Sequence, residues 1–357
     1  MTQKVGIILI NYKDYAERFL VDCRDSIREL EYPRDRFAVY IVDNATTPET
    51  EIYLKEQWPE AVIIPNVENA GWGGGCNIGI KRAFADGCDD VVLTNFDTYV
   101  GKNWLSELVF AAYSDKKIGI VQSKLFLHPP RENGEFFINS LGNQFHYLGF
   151  GFSAGGNMRD GGSIKEVTEI TYASGASMYI KGAVMSELGL FEENFFMYHD
   201  DLEYCLKARQ AEWRIVLAPR SIMYHKHEFM RSNKHLFYME RNRFLVLLYF
   251  YRIPTLVLIA PMFLIMELGQ WLFALKNGWL GTRIKVYAYF FNVEHLRAAW
   301  KRRTELQAQR KLKRDREFVE SFADTIQFQE IGNPLLRYIG NPLMHAYWQV
   351  AKRLIFW

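Results

Sequence analysis

The sequence predicts an α/β fold built on a mostly parallel central sheet. Three observations carry this prediction. Short apolar runs alternate with segments of helical spacing through the first part of the chain. The runs lack a polar alternation, as in strands buried on both faces. Their carboxyl ends are repeatedly polar, at the edge where open α/β sheets place ligands.

Val5 to Ile10 reads as the first buried strand, with Asn11 at its tip. The run is too short for the apolar core of a signal peptide. Tyr15 to Leu30 has helical spacing, with Phe19, Leu20, Cys23, Ile27 and Leu30 on one stripe. Ala38 to Val42 forms a second strand ending at Asp43 and Asn44; Pro48 opens a short helix, and Ala61 to Ile64 forms a third strand. Next comes the glycine-dense NAGWGGGCNIG, Asn69 to Gly79. It reads as a turn permitting close backbone approach, leading into a helix over Ile78 to Phe84 whose N–H groups favour anions. It contains neither GxGxxG nor the Lys-Ser/Thr of a P-loop.

The run Val91 to Leu93 then ends in Thr94-Asn95-Phe96-Asp97-Thr98. In extended chain Asn95 and Asp97 point the same way. An amide oxygen and a carboxylate so placed can hold a hard divalent cation together with substrate phosphate. The competing reading makes Asp97 and Thr98 the cap of a helix beginning near Asn103.

Further along, Ile118 to Leu125 is a strand. Asn133 to Gly162 suits hairpins or an acceptor-side loop. Ile170 to Ile180 is a strand interrupted at Ala173-Ser174-Gly175-Ala176, where small residues admit a close neighbour. Lys181 to Leu188 is a short helix, and Trp213 to Leu217 a closing strand. Between them, Leu202, Cys205, Leu206 and Arg209 have helical spacing, placing Asp200 and Asp201 in a first turn. The helix dipole alone favours carboxylates there. The aromatic run Phe195 to Tyr198 just before them also suits a general base sheltered from water, two adjacent acids dividing roles by environment. His225, in Tyr224-His225-Lys226-His227, can complete a cation site with Asp97.

Five ordered pieces together resemble the family 2 inverting glycosyltransferases of the GT-A fold: ILINYKD, YIVDNAT, NAGWGGGCNIGI, VLTNFDTYV, and GLFEENFFMYHDDLEYCLKAR followed by MYHKHE. The likeness is greatest to the bacterial branch of rhamnosyl and galactofuranosyl transferases of cell-surface polysaccharides. It implies a catalytic domain over residues 1–230. In that domain Asn11, Asp43 and Asn44 would contact the nucleoside, and Asn69, Gly71, Trp72, Gly74 and Asn77 would line the donor site with Asn95. Asp97 would bind Mg2+ or Mn2+, with His225 on the metal or diphosphate, and Asp201 of the Asp200-Asp201 pair would be the base. The implied donor is a dTDP- or UDP-linked sugar, with rhamnose as the first guess. The implied acceptor is a hydroxyl of a glycan or lipid-linked glycan. Three residues depart from the family pattern. Asn95 replaces the first Asp of its metal motif, and Asp200 replaces the usual Glu, with Glu203 where Asp is common; either acid of the pair therefore stays open as the base. Rival readings are a nucleotidyltransferase of similar fold and a silent nucleotide- or glycan-binding scaffold.

Residues 231–357 read as a helical C-terminal region. Ile253 to Leu275 approaches the ~20 apolar residues a spanning helix needs, yet holds Pro254, Pro261, Glu267 and Gln270. A span or re-entrant hairpin, an in-plane amphipathic segment, and a buried helix or oligomer interface all fit it. A basic segment over 297–316 would favour an anionic leaflet, hence a peripheral or monotopic place on the cytoplasmic face of the plasma membrane. Ile331-Gly332-Asn333-Pro334-Leu335 echoes Ile339-Gly340-Asn341-Pro342-Leu343. A formal net charge of +2 gives no general case for nucleic acid. Four scattered cysteines point to reduced thiols rather than disulfides or a zinc site.

Overall fold

A computed structural model describes residues 3–130, 134–162, 164–226, 233–327 and 334–357. His227, Glu228 and Ile331 to Asn333 lie outside the described residues.

In chain order the first half runs β1 (Val5–Asn11), α1 (Tyr15–Arg28), β2 (Phe37–Asn44), α2 (Pro48–Gln57), β3 (Val62–Asn66), α3 (Gly71–Ala85), β4 (Asp90–Thr94), β5 (Thr98–Val100), α4 (Trp104–Tyr113) and β6 (Ile118–Leu127). Short strands β7 (Ile138–Ser140), β8 (Asn143–Phe145), β9 (Gly151–Ser153) and β10 (Thr168–Glu169) follow. Then come β11 (Ser177–Lys181), α5 (Gly182–Leu188), α6 (Asp200–Gln210) and β12 (Arg214–His225). The C-terminal helices are α7 (Asn233–Phe250), α8 (Ile253–Lys276), α9 (Leu280–Phe291), α10 (Val293–Gln309), α11 (Asp315–Val319) and α12 (Asn341–Leu354).

The main sheet has the order β10-β12-β6-β11-β4-β1-β2-β3. Strands β4, β1, β2 and β3 are parallel, with Val5 facing Phe37 on one side and Asp90 on the other. The sequence expectation of parallel strands holds for this half. The other half is mixed, because β11 runs antiparallel between β4 and β6, and β5 and β10 pair antiparallel with β12. An unalternating apolar run signals burial on both faces and says nothing of direction, so the mixed half was not legible.

Two reversals shape the sheet's working edge. Because β11 is antiparallel to β4, its first residue Ser177 faces Thr94, the last residue of β4. The Ala173–Ala176 loop therefore sits at the tip of β4 rather than inside a strand. Because β5 turns back onto β12, Thr98 pairs with His225.

Alternate residues of β1 face opposite sides, as the pleat requires. Val5, Ile7 and Leu9 pack with Leu20, Ile27, Trp104 and Leu108. Ile8 belongs to the other core, which runs through Phe145 and Leu202 to Leu245, Phe318, Trp348 and Ile355. The C-terminal helices thus share a core with the sheet. Trp348 of α12 stacks on Tyr147, ring centroids 4.3 Å apart.

Helix α3 begins at Gly71, well before the expected start near Ile78. Its glycines serve close packing. A Cβ on Gly79 would lie 2.6 Å from Cγ2 of Ile8, and one on Gly75 3.2 Å from Ile10, so the helix lies directly on β1. Glycine costs about 1 kcal/mol relative to alanine inside a helix, and that close approach offsets it. Helix α8 runs unbroken through Pro261. All four cysteines are free and buried.

Candidate active site

The turn between β4 and β5 brings Asp97 against His225: Oδ2 of Asp97 is 3.3 Å from Nε2 of His225. The other ring nitrogen, Nδ1, lies 3.1 Å from Oδ1 of Asn139 on β7, which fixes the imidazole's orientation. The Tyr15 hydroxyl also hydrogen-bonds Asp97, and burial together with that carboxylate pushes the phenol's pKa well above its ordinary value. Sequence reading gave Tyr15 only a place in a helix; nothing local marks it as a site residue. Asn95 and Asp97 are not in extended chain, because the backbone turns between the two strands there. The carbonyl of Asn95 accepts from Thr98 Oγ1 at 2.6 Å. Helix α4 starts at Trp104 with Asn103 as its cap residue, so Asp97 caps no helix.

Asp200 and Asp201 open α6, as their spacing predicts, and their surroundings differ. Asp201 is half-buried. Its Oδ2 accepts from the Gly175 N–H at 3.1 Å and its Oδ1 from the Leu202 N–H at 2.8 Å. Burial raises its pKa while these two donors pull it back. Asp200 is 2% exposed, and its Oδ1 has no hydrogen-bond partner among the described residues. Burial and the adjacent Asp201 push its pKa well above the ordinary carboxylate range. Asp201, better solvated and better hydrogen-bonded, is the acid that stays ionised more readily. Glu203 is wholly buried, facing Arg302 at 4.0 Å.

Gly175 links these two centres. It lies two residues before Ser177, which faces Thr94, so Asp201 is tethered at the tip of the strand that leads into Asp97. The Trp72 ring closes over Gly175, where an added Cβ would meet Cζ2 at 2.5 Å, and it meets Phe191 edge-on.

The remaining donor-site candidates form a hydrogen-bonded floor. Asn11 Nδ2 donates to Asp43 Oδ1 at 2.8 Å, and Asp43 Oδ2 accepts from Thr46 and Thr50 at 2.5 and 2.6 Å. Asn44 donates to Asn69 Oδ1 and to the Gly71 carbonyl, both at 3.0 Å, and accepts from the Ala70 N–H at 2.9 Å. Asn77 is buried, and its amide is committed to Phe191 and Glu193. Gly74 sits in the first turns of α3 against Ala70. The first two N–H groups of α3 are already used, Gly71 by Asn69 and Trp72 by the Phe196 carbonyl at 2.7 Å. That leaves less of an anion cradle than the glycine pattern suggested.

Backbone strain concentrates at the same edge. Lys13 and Ala45, just past β1 and β2, and Phe196, Tyr198 and His199, just before α6, all have φ between 57° and 71°. Such conformations cost of order 1 kcal/mol or more each and cluster at working sites.

The comparisons with known proteins bear on the fold. Residues 6–150 match the model of the glycosyl transferase family 2 domain. Over these residues the chain is similar to that family. A curated relative, the low-salt glycan biosynthesis hexosyltransferase Agl10 of Haloferax volcanii, is 23% identical over 220 residues, covering 60% of this chain and 64% of Agl10. Among solved structures, the mannosyltransferase PcManGT of Pyrobaculum calidifontis, in complex with GDP-Man and Mn2+, superposes with a TM-score of 0.51. It is 17% identical and covers 87% of this chain and 86% of its own. GalNAc-T7, with UDP, GalNAc and Mn2+, gives a TM-score of 0.53 at 14% identity, over 70% of this chain and 48% of its own. The chain therefore spans less than two thirds of Agl10 and of GalNAc-T7. These likenesses show a GT-A-like fold.

A divalent cation suits the donor set at this edge. One carboxylate and one imidazole meet at the sheet edge, and among the described residues no group of three His, Cys, Asp or Glu side chains gathers. Such a pair fits a cation that completes its shell with diphosphate oxygens and water, as Mg2+ and Mn2+ do.

Proposed function

We propose that the chain is an inverting, metal-assisted glycosyltransferase. It would move a sugar from a nucleoside diphosphate to a hydroxyl of a glycan or lipid-linked glycan. The observation that carries this reading is the tether of Asp201 to Gly175 at the tip of β4, which holds a carboxylate on the same edge as Asp97 and His225. The GDP-Man and Mn2+ of the PcManGT structure and the UDP, GalNAc and Mn2+ of the GalNAc-T7 structure support the donor class and the cation.

In this reading Asn11 and Asp43 form the floor beneath the nucleoside. Asp97 and His225 would hold the cation, which neutralises charge on the leaving diphosphate. Asp201 accepts the proton of the acceptor hydroxyl, the oxygen bonds to the anomeric carbon, and the bond from that carbon to the diphosphate oxygen breaks in the same displacement. One displacement inverts the anomeric centre and needs no covalent enzyme intermediate. Trp72 and Phe191 keep water from one side of the base. Rhamnose is the proposed sugar, on the sequence resemblance alone. A peripheral position on the cytoplasmic face of the plasma membrane would bring a lipid-linked acceptor within reach; the outward apolar residues of α8 support it.

The test is calorimetric titration of UDP, GDP and dTDP, and their sugar conjugates, with and without Mn2+, against wild type and Asp97→Ala. Metal-dependent binding of one nucleotide, weakened at least tenfold by the substitution, is expected. Binding that ignores both metal and substitution would remove Asp97 from the donor site.

A further inference from the structure

Helix α7 carries four consecutive polar residues, Glu240-Arg241-Asn242-Arg243, within an otherwise apolar stretch. Two of them reach the segment that presents the acids. Asn242 is 0% exposed, and its amide nitrogen donates to the carbonyls of Phe195, Met197 and Tyr198 at 3.0, 2.9 and 2.8 Å. Arg241 Nη2 donates to the carbonyls of Asn194 and Phe195 at 2.6 and 3.0 Å, and its Nε donates to Asn242 Oδ1 at 2.9 Å. Tyr238, on the same face of the helix, stacks on the Phe196 ring at 5.1 Å.

The segment held this way is the strained one, with Phe196, Tyr198 and His199 all at positive φ. Non-glycine residues persist there only when their surroundings over-determine the backbone. The segment also reaches both sides of the site. At one end the Phe196 carbonyl accepts from the Trp72 N–H at the start of α3. At the other end, His199 leads directly into Asp200 and Asp201.

We infer that Arg241 and Asn242 are positioning residues for the transfer reaction. From outside the matched family domain, they set the distance between the donor helix and the base. The inference rests on the reading of Asp201 as base, and it keeps a separate content through the contact of Phe196 with Trp72. Glu240 and Arg243, on the opposite side of the same turn, pair instead with Arg283 and Glu267. They provide a control in the same helix.

The experiment compares wild type, Asn242→Ala, Asn242→Asp, Arg241→Lys, Glu240→Gln and Asp201→Asn. Each is assayed for Mn2+-dependent hydrolysis of UDP-glucose, UDP-galactose, GDP-mannose and dTDP-rhamnose, for thermal melting, and for amide exchange across residues 194–202. A misplacement of about 1 Å at a reacting centre can cost on the order of 100-fold. The expected result is a 10- to 100-fold fall in kcat for both Asn242 variants, with donor KM changed less than about threefold and exchange across 194–202 accelerated at least tenfold. Arg241→Lys retains more activity, and Glu240→Gln leaves kcat and exchange unchanged. Wild-type kcat and exchange in folded Asn242→Ala overturn the inference. So does a loss matched by Glu240→Gln, which would make it general destabilisation. Full activity in Asp201→Asn with a slow Asn242→Ala overturns the assignment of the base and leaves the positioning role standing. Where no donor is turned over, the exchange comparison decides alone.

Discussion

At Asp200 and Asp201 two neighbouring carboxyls have been driven apart by burial. Asp200 has lost solvent without gaining a partner for Oδ1, while Asp201 keeps two N–H donors. The folded pKa of Asp200 lies above its unfolded value of about 3.9. The folded chain therefore binds that proton more tightly than the unfolded chain, and stability falls as pH rises from the ordinary carboxylate range towards the folded pKa. Asn at this position carries no charge at any pH and escapes that loss. Asp200→Asn is expected to melt a few degrees higher at pH 7, about 1 kcal/mol, with the gain shrinking to nothing below about pH 4. Calorimetric melts at the two pH values decide it; an equal gain at both would mean that charge is not the cause. The sequence named this pair, and the helical period placed it in a first turn. It could not say which acid was buried, because that depends on Gly73 and Gly175, each far away in the chain.

The same dependence on distant partners appears at the level of elements. Spacing and composition gave the strands of the parallel half, α1 and α5, and placed Asn11, Asp43 and Asp97 at strand tips. They gave α3 the wrong start, because dense glycine reads locally as a turn when the reason for it is a neighbour. Gly73 is the clearest case: a Cβ there would stand 2.7 Å from Asp200 Oδ1 and 3.4 Å from Phe191 Cβ. Gly269 in α8 has nothing within 4 Å of an added Cβ. Alanine is favoured over glycine by about 1 kcal/mol in a helix interior, so Gly269→Ala should stabilise by up to that amount. Gly73→Ala should instead lose about 1–3 kcal/mol through overpacking and weaken nucleotide binding. Urea unfolding of both variants makes the comparison. A Gly73→Ala chain as stable as wild type would show that α3 can move away from α6, and that the contact is loose. The site residues that sequence reading missed, Tyr15, Arg241 and Asn242, belong to the same class. Each acts across the fold from a helix whose local pattern announces only packing.

On the scale of the whole molecule, the C-terminal region turns an apolar face outward while drawing its charges in. Helix α8 is long and apolar enough to cross a bilayer, its most apolar 18-residue stretch having a mean hydropathy of 1.9. Its acidic residue Glu267 points inward, where it binds Arg243, Arg283 and the Tyr287 hydroxyl. Crossing a membrane would carry this cluster with it or break it, and an unpaired buried charge is costly. The outward side holds Val257, Leu264, Leu268, Leu272 and Leu275, spaced as one helical stripe and each at least 60% exposed. An in-plane helix with its stripe in the lipid interface meets both constraints. The basic segment contributes less than its composition promised. Arg303 is bound to the Leu248 and Tyr251 carbonyls, Arg310 to Asp315 and Arg302 to Glu192. Lys276, Lys285, Arg297, Lys301, Lys313, Arg314 and Arg316 remain exposed. Fully burying one leucine is worth about 1.5–3 kcal/mol and each cation near an anionic leaflet about 1 kcal/mol, so immersion of the five stripe residues should outweigh the exposed cations. Co-sedimentation with phosphatidylcholine vesicles containing phosphatidylglycerol should therefore fall more than tenfold for Leu264→Ser/Leu268→Ser/Leu272→Ser, with a weaker response to added salt. Loss of binding in salt alone, with the triple variant unaffected, would assign the interface to the cations. Dimers in light scattering that dissociate in the triple variant, without vesicle binding by wild type, would assign the stripe to a second copy of the chain.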